Sequence, residues 1–423
     1  MVSDAGAQVP RWVFCAIVGL ALIAGTSANG QAPSPDLDVT DRVVTASRIY
    51  SLIQQYFAHR DGVPQVEIEA AYREYAGQAV RAQTRHAFDL ATLRFIATLR
   101  NGHTQFFDSQ LDGRPLKFRL LEVESQWVVI DSQDTRLPRG VVVRSLNGSP
   151  AGDVVRELSQ YVAASNDRLA RTHVFSYPGL FPERFPVVLR DGRVVVVDRA
   201  LPADTRQPSP ARESDGRWLR ENRVAYVRIT SFGDSAYERT AVELVRRFSS
   251  APGLVVDVRG NGGGTTPLQL IAALMNRPRP WWQESTPQHI ALLEAQGNPP
   301  LRTSRDFLPQ APSRDAYAGR LVLLVDRFCG SACEDFVMPF KSTGRAILVG
   351  ETTQGSSGNP YRTDLGSGMS LAVGAVRYRF PDGRPFEGIG IEPDVTVERR
   401  LADVVSNRDA ALARAEELAS ASK

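Results

Sequence analysis

The chain has 423 residues, 43% hydrophobic and 23% charged, an ordinary composition for a globular protein of one to three domains. A formal net charge of +3 is nearly balanced at this length, and no basic cluster is interleaved with aromatics, so nothing marks a nucleic-acid partner. Lysine occurs only at Lys117, Lys341 and Lys423, which leaves few candidates for a catalytic amine.

In chain order, Arg11 precedes "WVFCAIVGLALIAG", an uncharged apolar run as long as the core of an export signal. Small residues "TSANG" follow, and cleavage is expected after Ala28. Residues 1–30 therefore read as a signal peptide and the mature protein as periplasmic or secreted; an uncleaved membrane anchor is the alternative. The run is short for a membrane span, so no stable membrane insertion is expected after cleavage. Cys15 lies inside the run rather than at its end, which argues against a lipid anchor. Cleavage would leave Cys329 and Cys333. An oxidising compartment permits a bridge between them, but the pair reads first as two small buried hydrophobes flanking a turn.

Residues 37–110 read as an N-terminal helical domain. "DRVVTASRIYSLIQQYF" spaces Val43, Val44, Ile49, Leu52, Ile53 and Phe57 for one helix face. Two further helices follow, and the set ends at "RNGHTQFFD", a turn carrying His103. Residues 115–205 change to strands with "NG" and "DG" turns around one short helix, a small α+β module. "DTRQPSPARESDGR" reads as a linker. From 215 to 402, continuous apolar strands such as "GLVVDVRG" and "RLVLLVD" alternate with helices, the pattern of a sheet covered on both faces. The stretch 276–318, proline-bearing and containing Trp281 and Trp282, reads as a long irregular loop, a lid or a surface insertion. Residues 403–423 are taken as a C-terminal tail.

Ser331 stands between a strand and a helix in "DRFCGSACEDF". Ser331 and Glu334 match the S-x-x-E capping box, so one reading is a helix cap. The same place suits a nucleophile, because the following amides, starting with Ala332, face any oxyanion that develops there. A nucleophilic serine needs a base. Lys341 lies near the far end of the same helix, and the other lysines are remote in sequence. Of the histidines, His59 and His86 sit in charged helical surroundings and read as surface, His173 lies in the α+β module and His289 in the long loop. His103 lies in a tight "NGHT" turn that can aim a polar group, or is an ordinary turn histidine. "DVRGNGGG" supplies glycines for close approach of backbone to a ligand; as a phosphate cradle it lacks the lysine and the spacing. Glu387 and Glu392 in "FEGIGIEPD" are carboxylates able to support an imidazole, or solvated turn acids.

"RNGHTQFFD", "YVRITSF", "LVVDVRGNGGG", "LVDRFCGSACEDF", "ILVGETTQG" and "PDGRPFEGIGIEPDV" occur in that order. Together they resemble the tail-specific (C-terminal-processing) and tricorn-core serine proteases, over residues 40–400 and most strongly from 220 onward. The resemblance implies an α/β catalytic domain of crotonase-like ββα type, with the N-terminal helical domain and the α+β module as a degenerate PDZ-like unit. It implies Ser331 as nucleophile, and an oxyanion hole from Gly263 with Ala332 or Ser331 itself. The Ser-Lys branch carries a lysine where this chain has Ser356, so the chain looks like the histidine-using, tricorn-type branch. His103 then matches the base and Glu387 its supporting carboxylate. Tricorn-type sites also place a serine just before the histidine, where this chain has Gly102.

The expected activity is that of an exported serine peptidase on protein or peptide substrates. No metal or cofactor is implied, since no histidine–cysteine cluster has ligand spacing. The rivals are a non-catalytic ligand- or peptide-binding protein on the same scaffold and a crotonase-type acyl-CoA enzyme, against which the export signal argues.

Overall fold

The computed structural model describes residues 37–111, 113–201, 214–298, 301–305 and 307–421. The expected signal peptide, and the expected linker up to residue 213, lie outside the described residues. The last part of the linker reading is corrected: Asp215–Arg220 is a strand, antiparallel to Val224–Arg228.

A six-stranded sheet organises the C-terminal half. Its order is Val395–Thr396, Ile347–Gly350, Arg320–Val325, Gly253–Asp257, Val224–Arg228 and Asp215–Arg220, parallel except for the last pair. Side chains alternate between its faces. Ala225, Val227, Leu254, Val256, Leu321 and Leu323 enter a core shared with helices Ser235–Arg247, Leu268–Leu274 and Ala332–Thr343. Val224, Tyr226, Val255, Val322, Leu324 and Val349 face the other way, onto Ala415 and Ala419. Both faces are dry, which is why these strands are apolar without interruption. The C-terminal residues are thus not a loose tail: helix Ala410–Ser420 covers one face of the sheet.

The helical part comprises Val39–Tyr56, Gln65–Arg81 and Arg85–Thr98. In the first helix Thr45, Ala46, Ile49 and Ile53 are buried, while Val43 and Val44 are exposed. The buried stripe is therefore rotated from the one expected. The core of these helices includes Leu365, Met369, Leu371 and Val373 from far along the chain. Strand Gln105–Asp108, which leaves the third helix, pairs antiparallel with Met369–Val373, which pairs with Tyr361–Gly366.

The α+β module holds strands Phe118–Val123, Gln126–Ser132, Val142–Leu146, Arg184–Leu189 and Val194–Asp198 in that spatial order. Glu124 and Ser125, both at positive φ, make the first hairpin turn, a twist that suits paired strands. The stretch read as an irregular loop is built instead around a hairpin. Gln283–Gln288 pairs with Leu301–Arg305 and with Arg377–Arg379, and Trp282 is buried in the main core. Thr286 Oγ1 donates to the Ala375 carbonyl at 2.9 Å, which pins the hairpin down.

Candidate active site

Ser331 follows strand Arg320–Val325 and opens helix Ala332–Thr343. Its backbone has φ 54° and ψ −127°, and its side chain makes no cap to the helix. The amide of Glu334 donates to the Ser331 carbonyl at 2.7 Å, not to its hydroxyl. The capping-box reading fails for Glu334 as well. Its buried carboxylate accepts from Thr353 Oγ1 at 2.5 Å, Gly355 N at 2.7 Å and Ser356 N at 3.0 Å. Burial pushes this carboxyl up to about 8 despite those three bonds. A positive φ on a non-glycine residue costs on the order of 1–3 kcal/mol, so the surrounding structure must hold it. One restraint is covalent: Cys329 and Cys333, expected as free hydrophobes, are bridged, with Cα atoms 5.4 Å apart. The other is the Ser331 amide, which donates to the Ser356 carbonyl at 2.8 Å.

The Ser331 hydroxyl, free of the helix, faces His103 Nε2 at 3.0 Å. His103 arrives there because its turn leads into Gln105–Asp108, whose pairing with Met369–Val373 carries it across the sequence. The turn is tied locally: Asn101 Oδ1 accepts from His103 N at 3.2 Å and Thr104 Oγ1 at 2.9 Å. Burial, with the Arg362 guanidinium second, pushes the imidazole down to about 4, so it is neutral at pH 7 and able to accept a proton.

Glu387 does not touch His103. Its Oε1 accepts from Asn101 Nδ2 at 2.7 Å and from Ser165 Oγ at 2.6 Å, and Ser165 Oγ accepts from Gly102 N at 3.0 Å. The carboxylate is thus coupled to the histidine turn through two intermediaries. Ser356 Oγ stands at His103 Nδ1 instead, at 3.1 Å. Burial pushes the Glu387 carboxyl up to about 8. Glu392, its alternative, is exposed.

The proposed oxyanion donors differ in state. Gly263 packs its backbone against Ser331: a Cβ there would sit 2.7 Å from Ser331 Cβ and 3.0 Å from Ala332 N. Its N–H, however, donates to Asn261 Oδ1 at 2.9 Å, a side-chain turn that takes up the amide. The Ser331 amide is taken by Ser356. Ala332 N keeps its place at the helix start, beside Ser331 and Gly263.

His59, read as a surface residue, is buried beneath the site. Burial pushes it down to about 3. It lines a cavity of about 150 Å³ with Ser165, Arg377 and Glu387. His86 is exposed; His289 faces Glu294 Oε1 and the Gln55 carbonyl, each at 3.0 Å. Lys341 pairs with Asp394, away from Ser331. Among the described residues, no group of three or more histidine, cysteine, aspartate or glutamate side chains is placed to hold a metal ion.

Sequence reading missed Ser165 and Asn101, whose roles depend on contacts spanning 222 and 286 residues. It noted Ser356 only as the place of a missing lysine, because nothing local aims that hydroxyl.

Residues 223–397 match peptidase family S41. A carboxyl-terminal-processing protease of Synechocystis sp. is 31% identical over 190 residues, which are 44% of this chain and 41% of that protein. The tricorn protease of Thermoplasma acidophilum is 28% identical over 205 residues, 47% of this chain and 17% of the other. The chain spans less than two thirds of the length of the curated relatives it matches. Among solved structures, mature CPAF complexed with lactacystin aligns with a TM-score of 0.72 at 14% identity, over 90% of this chain and 98% of that one, a likeness of fold. The segment that matches peptidase family S41, residues 223–397, carries Gly263, Ser331, Ala332 and Glu387.

Proposed function

We propose that the protein is an exported serine peptidase in which Ser331 attacks a peptide carbonyl and His103 is its base. The observation that carries this reading is the 3.0 Å approach of His103 Nε2 to a Ser331 hydroxyl that has no other partner among the described residues, held on a strained strand-to-helix turn. His103 takes the Ser331 proton at Nε2, and the alkoxide adds to the carbonyl. The Ala332 N–H meets the developing oxyanion at the helix start. Gly263 joins it once its amide leaves Asn261. His103 then protonates the leaving amine, and water attacks the acyl-serine to return the enzyme. Glu387 is a positioning residue that acts through Asn101 and Ser165. The catalytic segment is read as crotonase-like, with module 115–205 as a degenerate PDZ-like unit beside it. Export rests on the N-terminal signal; among the described residues, no helix is long and apolar enough to cross a membrane.

The test is fluorophosphonate labelling of the purified mature protein beside Ser331→Ala and His103→Ala. Label lost in the first variant and slowed at least about 100-fold in the second supports the assignment. A folded wild type that takes no label sinks it and favours the binding-protein reading. Label that survives His103→Ala removes His103 as base.

A further inference from the structure

We infer that Ser356 is a positioning residue for the reaction, holding the base by its side chain and the nucleophile by its main chain, and that Gly102 is glycine to make room for it. The inference deepens the peptidase reading and rests on it for its kinetic arm.

Three observations meet at this residue. Its Oγ lies 3.1 Å from His103 Nδ1. Its carbonyl accepts the Ser331 amide at 2.8 Å. Its own amide is fixed by the buried Glu334 carboxylate at 3.0 Å. Ser356 is 2% exposed, so its hydroxyl is not a solvated surface group. Gly102 completes the arrangement: a Cβ on it would stand 2.5 Å from Ser356 Oγ, and real Cβ atoms do not approach so closely. The hydroxyl of residue 356 therefore occupies the space that a side chain on residue 102 would fill.

The chemistry asks for such a group. His103 accepts a proton at Nε2 only in the tautomer that keeps its hydrogen on Nδ1. That Nδ1–H needs an acceptor. Among the described residues Ser356 Oγ is its partner, while Glu387 turns Oε1 to Asn101 and Ser165 and not to the ring. When Ser331 reacts, its O–H bond breaks and an Nε2–H bond forms. Nδ1 keeps its proton, and Ser356 Oγ goes on accepting it from the imidazolium. A hydroxyl offers a dipole where a carboxylate would offer a charge, so the effect is orientation more than charge stabilisation. The charged and titratable groups around this pair are His59 and Arg362 near His103, Glu334 behind Ser356, and Glu387 beyond Asn101.

The experiment compares four full-length proteins: wild type, Ser356→Ala, Gly102→Ser, and the relocated hydroxyl Gly102→Ser with Ser356→Ala. Each is labelled with ¹⁵N-histidine, and the His103 ring shifts at pH 7 report which nitrogen carries the proton. Fluorophosphonate labelling rates are taken on the same samples. The expected result is an Nδ1-protonated His103 in wild type, loss of that preference with labelling about 10- to 100-fold slower in Ser356→Ala, and recovery of both in the relocated variant. Gly102→Ser alone should be impaired by its clash with the Ser356 hydroxyl. An unchanged tautomer and labelling rate in Ser356→Ala overturns the inference. So does a folded relocated variant that recovers neither, because packing rather than the hydroxyl would then be at work. A wild type that shows the expected tautomer but takes no label would instead retire the peptidase reading and leave Ser356 as the partner of His103.

Discussion

His103 and Glu387 are both displaced by burial from their ordinary titration ranges, in opposite senses. The folded imidazole, down at about 4, binds its proton more weakly than an unfolded histidine near 6.5. Between those values the unfolded chain holds more protons, so this group makes stability rise with pH across that window and fall as acid is added. The same shift predicts that the acid limb of Ser331 labelling lies near pH 4; a pH–rate profile with its limb at the usual histidine value would contradict the buried geometry. Glu387 is raised to about 8 and is thus protonated at pH 7. Glu387→Gln, which keeps an acceptor for Asn101 and Ser165, should retain most of the labelling rate at pH 7. Glu387→Ala strands both donors and should slow labelling about tenfold. If the Gln variant is as impaired as the Ala variant, an ionised carboxylate is required and the indirect role is wrong. The residue types at these positions were legible in the sequence; which atom faces which was not, because Glu387 and Ser356 are separated from His103 by 284 and 253 residues.

Helix Ala332–Thr343 is the element on which the site hangs. Its first turn is clamped by the Cys329–Cys333 bridge. Asp335 ties it to three other segments, accepting from Thr266 Oγ1 at 2.7 Å, Trp282 Nε1 at 2.9 Å and Ser357 Oγ at 3.3 Å. Removing the bridge with Cys329→Ala and Cys333→Ala should cost about 2 kcal/mol, the chain-entropy value for so short a loop. A urea midpoint unchanged from wild type would show that the turn holds itself. Asp335→Ala leaves three buried donors without an acceptor and should cost about 3 kcal/mol or more in the same assay. The helix and the parallel strands were readable from their apolar runs. The hairpin was not: "QESTPQ" and "LRTSR" are polar on both faces and show no alternation, so pairing rather than hydrophobic pattern defines them.

For the molecule as a whole, the helical part and the six-stranded sheet are not separable units. Leu365, Met369, Leu371 and Val373 are buried by the helices, and the strand that positions His103 is the edge of their three-stranded sheet. A fragment beginning at residue 215 would expose that face and lack His103. It should be aggregated on size-exclusion chromatography and take no phosphonate. A monomeric, well-folded fragment would show that the shared core is dispensable.

Local order in the chain determined much of this protein: the turn before Ser331, the apolar strands that fill both faces of the sheet, the glycine run 262–264, and the short histidine inventory that made His103 a candidate. Those features depend on the identity and spacing of neighbours, which sequence records directly. Tertiary structure alone decided that the cysteines are bridged, that Asn101 and Ser165 stand between Glu387 and the histidine turn, that Asn261 takes up the Gly263 amide, and that Ser356 reaches Nδ1. Each of these is a directional contact whose partners are brought together by strand pairing and core packing, and a shift of about 1 Å would make or break it.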